Sequence, residues 1–219
     1  MSDGFDAMIA AARRFLGELE GNNNRDWFEG QKPRFKAEIE GPAKLLVTLL
    51  AEDLSRLTGI GHTGKLGRIY RDVRFSKDKS PYNTYIHAYW EQGAGAGPGW
   101  LLHVASEGAT FLTGLHALDA DGLARYRAAV DRGGDALRAA IDAAAAQGAA
   151  LHDFDTPPLV RVPKPYAPDH PHGDLLRRKQ IALGLTLDEA AMGAGLIPAL
   201  HGAAAVLMPF WRWCDRAAR

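Results

Sequence analysis

The densest chemistry in this sequence lies between Arg68 and Tyr82, where Arg68, Arg71, Arg74, Lys77 and Lys79 are interspersed with Asp72, Asp78, Ser76 and Ser80. Arginine offers a planar fork of N–H donors that matches phosphate or carboxylate, and lysine adds a compact point charge. Residues 76–83 have the make-up of a loop whose backbone N–H groups, with Ser76 and Lys79, cradle a phosphate. They equally have the make-up of a solvated turn tied by Asp78. The Gly-x-x-x-x-Gly-Lys-Ser/Thr spacing of a nucleotide-binding P-loop is absent, and no cofactor is implied elsewhere.

These residues need a scaffold, and hydrophobic periodicity outlines it. Phe5, Met8, Ile9, Ala12, Phe15, Leu16 and Leu19 recur at helical spacing, so residues 5–19 are expected to be helical. Gly21 and three asparagines end that helix, and an asparagine caps a short turn through Trp27 and Phe28. A second helical stretch, 32–57, is expected to break at Gly41-Pro42. The period then changes to two, which predicts strands at 66–75, 84–91, 99–106 and 109–115. Helices are expected at 119–132, 134–148, 187–194 and 198–217, the third with a Thr186/Glu189 capping box. A proline-rich strap covers 155–173, with a strand pattern at 159–162, and another strand falls at 180–186. The expected fold is therefore α+β: an antiparallel meander of at least four strands, helices on its apolar face, and residues 1–219 as one domain.

Register follows if the hairpins are centred near 79–80, at Gly95, and between Glu107 and Gly108. One face then carries Ile69, Val73, Phe75, Ile86, Ala88, Trp90, Trp100, Leu102, Val104, Phe111, Thr113 and Leu115, interrupted by Arg71. The other carries Arg68, Tyr70, Asp72, Arg74, Tyr85, His87, Tyr89, His103 and Thr110, with Asp72, His87 and His103 in one row and Arg74 beside Tyr85. Such a face suits an anion or a nucleic acid, because arginine grips phosphate and tyrosine stacks on bases. It also suits the solvated face of an ordinary antiparallel sheet.

Lys plus Arg and Asp plus Glu each number 26, so no global field draws the chain to nucleic acid or a membrane surface. A hydrophobic fraction of 47% is enough for a real core. The single cysteine, Cys214, excludes an internal disulfide and favours a reducing, cytoplasmic setting. The first residues do not read as a secretory signal, and no apolar run reaches the ~20 residues of a membrane span, so no membrane partner is expected.

Asp72, His87 and His103 have the residue types of a two-histidine, one-carboxylate metal set, but three adjacent strands span roughly 9.6 Å and converge poorly on one ion. A hydrogen-bonded Asp72–His87 pair is expected instead, and no metal. Asp169, His170, His172 and Asp174 read as cap and strap residues. Ser76 and Ser106 lack a nucleophile elbow, and Cys214 sits on an aromatic helix without an activating neighbour.

The run Arg68, Arg71-Asp72, Arg74-Phe75-Ser76-Lys77-Asp78-Lys79-Ser80-Pro81-Tyr82 resembles the signature of the bacterial and fungal domain-of-unknown-function family 2461. Three other stretches agree: Asn23, Arg25 and Trp27-Phe28; Arg161, Pro163-Lys164 and Asp169-His170-Pro171; and Leu175 through Lys179. Asn83 stands where the family pattern has lysine. The resemblance spans nearly the whole chain and implies one α+β domain, but no reaction. The functional expectation is binding of an anionic, phosphate-bearing partner, a small molecule or a nucleic acid, through Arg68, Arg74, Lys77, Lys79, Tyr85, His87 and His103. Alternatives are an enzyme with an Asp72/His87 acid–base pair, or a structural or interaction protein without a small ligand.

Overall fold

The computed structural model describes residues 4–74, 76–93, 97–154 and 156–219. Phe75, expected on the apolar face, and Gly95, expected at a hairpin centre, lie outside them. Helices α1 (Phe5–Glu20), α2 (Arg25–Phe35) and α3 (Gly41–Thr58) come first, with a π turn at Lys36–Glu40 between the last two. Strands β1 (His62–Leu66), β2 (Tyr85–Gln92), β3 (Gly99–Ala105) and β4 (Gly108–Leu115) follow, then α4 (Ala120–Ala145), β5 (Ala150–His152), the short α5 (Gly173–Leu176), β6 (Ile181–Leu187) and α6 (Leu196–Ala218). The fold is α+β, with one six-stranded antiparallel sheet in the order β1-β2-β3-β4-β6-β5. The meander of four strands is there, and β6 and β5 extend it.

Contact density divides the chain into two units. The first holds Met1–Gly93, Leu101–Phe111 and Thr186–Gly202; the second holds Ala94–Trp100, Leu112–Leu185 and Ala203–Arg219. Within the first, α1, the π turn and α3 lie against the apolar face of β1–β3, where Met8, Ile9, Ile39, Leu46, Ile86 and Leu102 meet. Trp90 is fully buried there, and its indole N–H donates to the Val47 carbonyl at 2.9 Å. Within the second, Tyr126 of α4 donates to the Leu175 carbonyl at 3.0 Å, and Trp100 stacks on Trp211. Cys214 is fully buried, which pushes its thiol up, out of the reactive range.

Several expected elements differ, each for a local reason. The strand placed at 66–75 lies at 62–66 and pairs Leu66 with Ala88 and His62 with Gln92. Glycine hid it: a Cβ on Gly64 would sit 2.6 Å from Val47 and 2.9 Å from Trp90, so the close approach of α3 excludes any larger residue. Among the described residues of 67–84 the one strand-like pairing is an isolated bridge, Tyr70 to Tyr82. Asp72 and Asp78 each accept a bond from the backbone N–H two residues on, and such Asx turns compete with a ladder. The turn through Trp27 and Phe28 is the first turn of α2, capped as expected by Asn24, whose side chain accepts from Trp27 N at 3.0 Å. The helices expected either side of 133 are there and meet in a kink at Gly133, whose backbone is not helical (φ −150°, ψ 33°). The helix expected at 187–194 is a short 3-10 turn, Ala191–Ala194, tied by Asp188 rather than by a Thr186/Glu189 box. Residues 159–162 form no strand.

Two glycines set a test of this packing. A Cβ on Gly114 of β4 would lie 2.0 Å from the Ile181 carbonyl of β6, a backbone clash that no side-chain rotation relieves. Gly114→Ala is expected to cost about 3 kcal/mol, the upper end of overpacking. Gly30→Ala, in the interior of α2 with nothing within 4 Å, is expected to stabilise by about 1 kcal/mol through helix propensity. Urea midpoints that move in opposite directions support these placements, and equal shifts contradict them.

Candidate functional site

The segment Gly67–Tyr82 is held by side chains of α2 and its cap rather than by strand pairing. The Asn23 amide donates to the Tyr82 carbonyl at 2.9 Å and accepts from the Tyr82 N–H at 3.1 Å, gripping both backbone groups of one residue. The Tyr82 ring stacks on Phe28, with centroids 4.1 Å apart and an interplanar angle of 22°. Tyr70 leans on both, 5.9 Å from Phe28 and 5.3 Å from Tyr82. Backbone bonds from Arg71 N to Pro81 O and from Asn83 N to Ile69 O close the crossing, and the Asn83 amide adds a bond to the Arg68 carbonyl.

A groove of about 300 Å³ opens between this segment and the helices. It is lined by Leu66, Gly67, Arg68, Ile69 and Tyr70 of this stretch and by Phe28, Lys32, Phe35, Lys36, Glu40 and Lys44 of the helices. Four residues apart on an α-helix, side chains drift by about 40° around the axis. The wider π turn between Lys36 and Glu40 lets residues spaced by four keep facing one groove. Its cause is local. Pro42 has no N–H and its ring clashes with a carbonyl one turn back, and the Gly41 N–H bonds instead to the Lys36 carbonyl. Lys44 pairs with Glu40 at 2.9 Å and Lys32 with Glu29 at 2.9 Å, whereas Lys36 and Arg68 form no ion pair among the described residues.

Of the other expected cations, Arg74 and Lys79 are engaged within their own loop, as is Arg71. Arg71 bonds Asp78 and the Ser76 hydroxyl, Arg74 holds Asp72 at 2.7 Å, and Lys79 donates to the Val73 carbonyl at 3.0 Å. The Ser80 backbone N–H and hydroxyl, with Arg71, hold the Asp78 carboxyl far below the usual carboxylate range, and Arg74 lowers that of Asp72. Lys77 is exposed. The expected row Asp72–His87–His103 is half correct. His87 Nε2 and His103 Nδ1 lie 2.7 Å apart, so one nitrogen carries the proton and the other accepts it. The residue opposite His87 in the β1 direction is Gly67, whose N–H donates to the His87 carbonyl at 2.7 Å. Asp72 is bound to Arg74, and the second His87 nitrogen contacts the Tyr89 hydroxyl at 2.7 Å. Tyr85 lies over both imidazoles, 4.3 Å from His87 and 5.6 Å from His103. Burial raises the Tyr89 phenol above its ordinary range.

A family model described as a conserved hypothetical protein, DUF2461, matches residues 11–213. The chain belongs to this family. No match was found among curated proteins or among solved structures. In this DUF2461 chain, two stretches that are far apart in sequence meet: Asn23 and Phe28 close on Tyr82. A third stretch lies in the other unit, where His170 and His172 bond Asp131 and Asp135 on successive turns of α4, and Asp174 pairs with Arg138. Among the described residues no group of three His, Cys, Asp or Glu side chains is placed to hold a metal ion, and no helix is long and apolar enough to cross a membrane. Lys32, Lys36 and Lys44 were not among the expected site residues. Their signal was the four-residue spacing across Gly41-Pro42.

The Asp78 turn gives a signed pH expectation. A carboxylate with a depressed pKa contributes its stabilisation above its unfolded value and loses it as pH falls through the folded one. At about pH 4, where a free aspartate is half protonated, the Ser80 amide resonance should remain at its neutral-pH position. It should move only in stronger acid, and a shift already complete at about pH 4 contradicts the turn.

Proposed function

We propose that the groove between α2–α3 and Leu66–Tyr70 binds an anionic, phosphate-bearing ligand. The observation that carries this reading is the charge around the groove: Lys32, Lys36, Lys44 and Arg68 against one lining carboxylate, Glu40. Two of those cations, Lys36 and Arg68, have no ion-pair partner among the described residues, so a ligand need not break an existing pair to reach them. Apolar residues lining the groove among the charges lower the local dielectric and strengthen attraction for a bound anion. Arg68 supplies the bidentate fork, and the lysines supply charge without fixed geometry.

The ion pairs of the loop 71–80 favour a second role for its cations. With Arg71, Arg74 and Lys79 bonded inside the loop, this stretch acts as architecture that presents Arg68 and Tyr70. The His87–His103 bond keeps an acid–base reading open for the neighbouring sheet face, with a second imidazole in place of Asp72.

Thermal-shift titration with orthophosphate and small phosphate esters tests the groove. A ligand present at a hundredfold its Kd stabilises by about 2.7 kcal/mol. The expected result is a rise in wild type that weakens with added salt, is lost in Arg68→Ala, falls in Lys36→Ala and persists in Arg74→Ala. A rise lost in Arg74→Ala but kept in Arg68→Ala moves the site to the loop. No rise with any phosphate compound overturns the proposal.

A further inference from the structure

Tyr70 is half exposed, at 50%, and lines the groove, while neighbouring aromatic residues are buried: Phe28 at 1%, Phe35 at 7% and Tyr82 at 2%. Its ring meets Phe28 at 66° and Tyr82 at 51°, and its backbone bridges Tyr82. Two buried rings and a backbone bridge therefore fix one flat, exposed ring beside Arg68 and Lys32. A rigid aromatic held this way stacks on a planar ligand without losing much freedom of its own. Lys32, bonded to Glu29 at 2.9 Å, lines the same groove. At about 300 Å³ the groove sits at the small end of ligand sites, which run from about 300 to 1,000 Å³, so it has room for one small ligand and not for a large one.

Cations and an exposed aromatic ring lining one groove suit a ligand that carries both an anionic group and a planar ring. Resting on the anion-binding reading above, we infer that the groove takes a free mononucleotide, its phosphate among Lys36, Lys44 and Arg68 and its base on Tyr70. Base–aromatic stacking tolerates any base because every base has a π face, so the groove selects ring-bearing phosphates over bare ones rather than one base over another.

Isothermal titration with orthophosphate, ribose 5-phosphate, AMP, CMP and a hexathymidylate strand tests this inference. AMP and CMP should bind at least tenfold more tightly than ribose 5-phosphate. Tyr70→Ala should remove that gap and Tyr70→Phe should keep it, which separates loss of the stacking face from loss of the fold. Ribose 5-phosphate and AMP binding equally, or a gap that survives Tyr70→Ala, overturns the nucleotide assignment and leaves the anion site standing. Failure of all the phosphate compounds overturns both. A hexathymidylate strand bound no more tightly than CMP supports a free nucleotide, and one bound far more tightly overturns that choice in favour of a nucleic-acid strand.

Discussion

One side-chain amide organises this site. Asn23, in the turn after α1, bonds both backbone groups of Tyr82, 59 positions away in sequence. Each such bond is worth only about 1 kcal/mol net, but a residue held at both N–H and C=O is fixed in position and direction. Phe28 then stacks on the ring so presented, Tyr70 packs against both, and the chain from Gly67 to Tyr82 is set beside the helices without a continuous strand ladder. Without this anchor, the isolated Tyr70–Tyr82 bridge and a loop of local ion pairs would have little to place them. A two-residue bridge does not offset the entropy of ordering the residues it spans.

The same anchor explains how the charges are sorted. The loop beyond Tyr70 is dense in arginine and lysine because it must close on itself: Arg71 ties Asp78 and Ser76, and Arg74 ties Asp72. Exposed pairs of this kind contribute little stability singly, yet several in one loop narrow its conformations. Arg68 precedes the loop and lines the groove, with Asp72 of the loop near enough to feel its charge. It faces the groove with Lys36, whose place is set by the π turn that Pro42 provokes. An irregular backbone thus does two tasks, accommodating a proline and aligning a stripe of lysines.

Much of the fold was legible in the sequence, for clear reasons. The stripe of α1, the alternation of β2 through β4, the Asn24 cap, the bend at Gly133 and the long last helix each have a strong period or a capping residue. The placing of His87 and His103 in one row was legible because both lie in strands joined by one short connection, whereas the hydrogen bond expected between Asp72 and His87 is replaced by one between the two imidazoles. The position of β1 was not, because its glycines reflect the approach of Val47 and Trp90, which is a tertiary fact. The run 66–75 had the alternation of a strand, but Asx turns at Asp72 and Asp78 consumed backbone N–H groups that a ladder needs. Of the expected site residues, Arg68 lines the groove, Tyr85, His87 and His103 cluster on the sheet face, and Arg74 and Lys79 are bonded within the loop. The lysines of the groove were invisible to a reading centred on one motif, since they come from helices far from it in sequence.

Native-state hydrogen exchange on wild type and Asn23→Ala tests this account most directly. The amides of Arg71, Tyr82 and Asn83 should lose protection in the variant while those of β2 and β3 keep theirs, because the crossing is held by Asn23 and the sheet is not. Unchanged protection at Tyr82 and Asn83, or an equal loss across β2 and β3, would contradict the account.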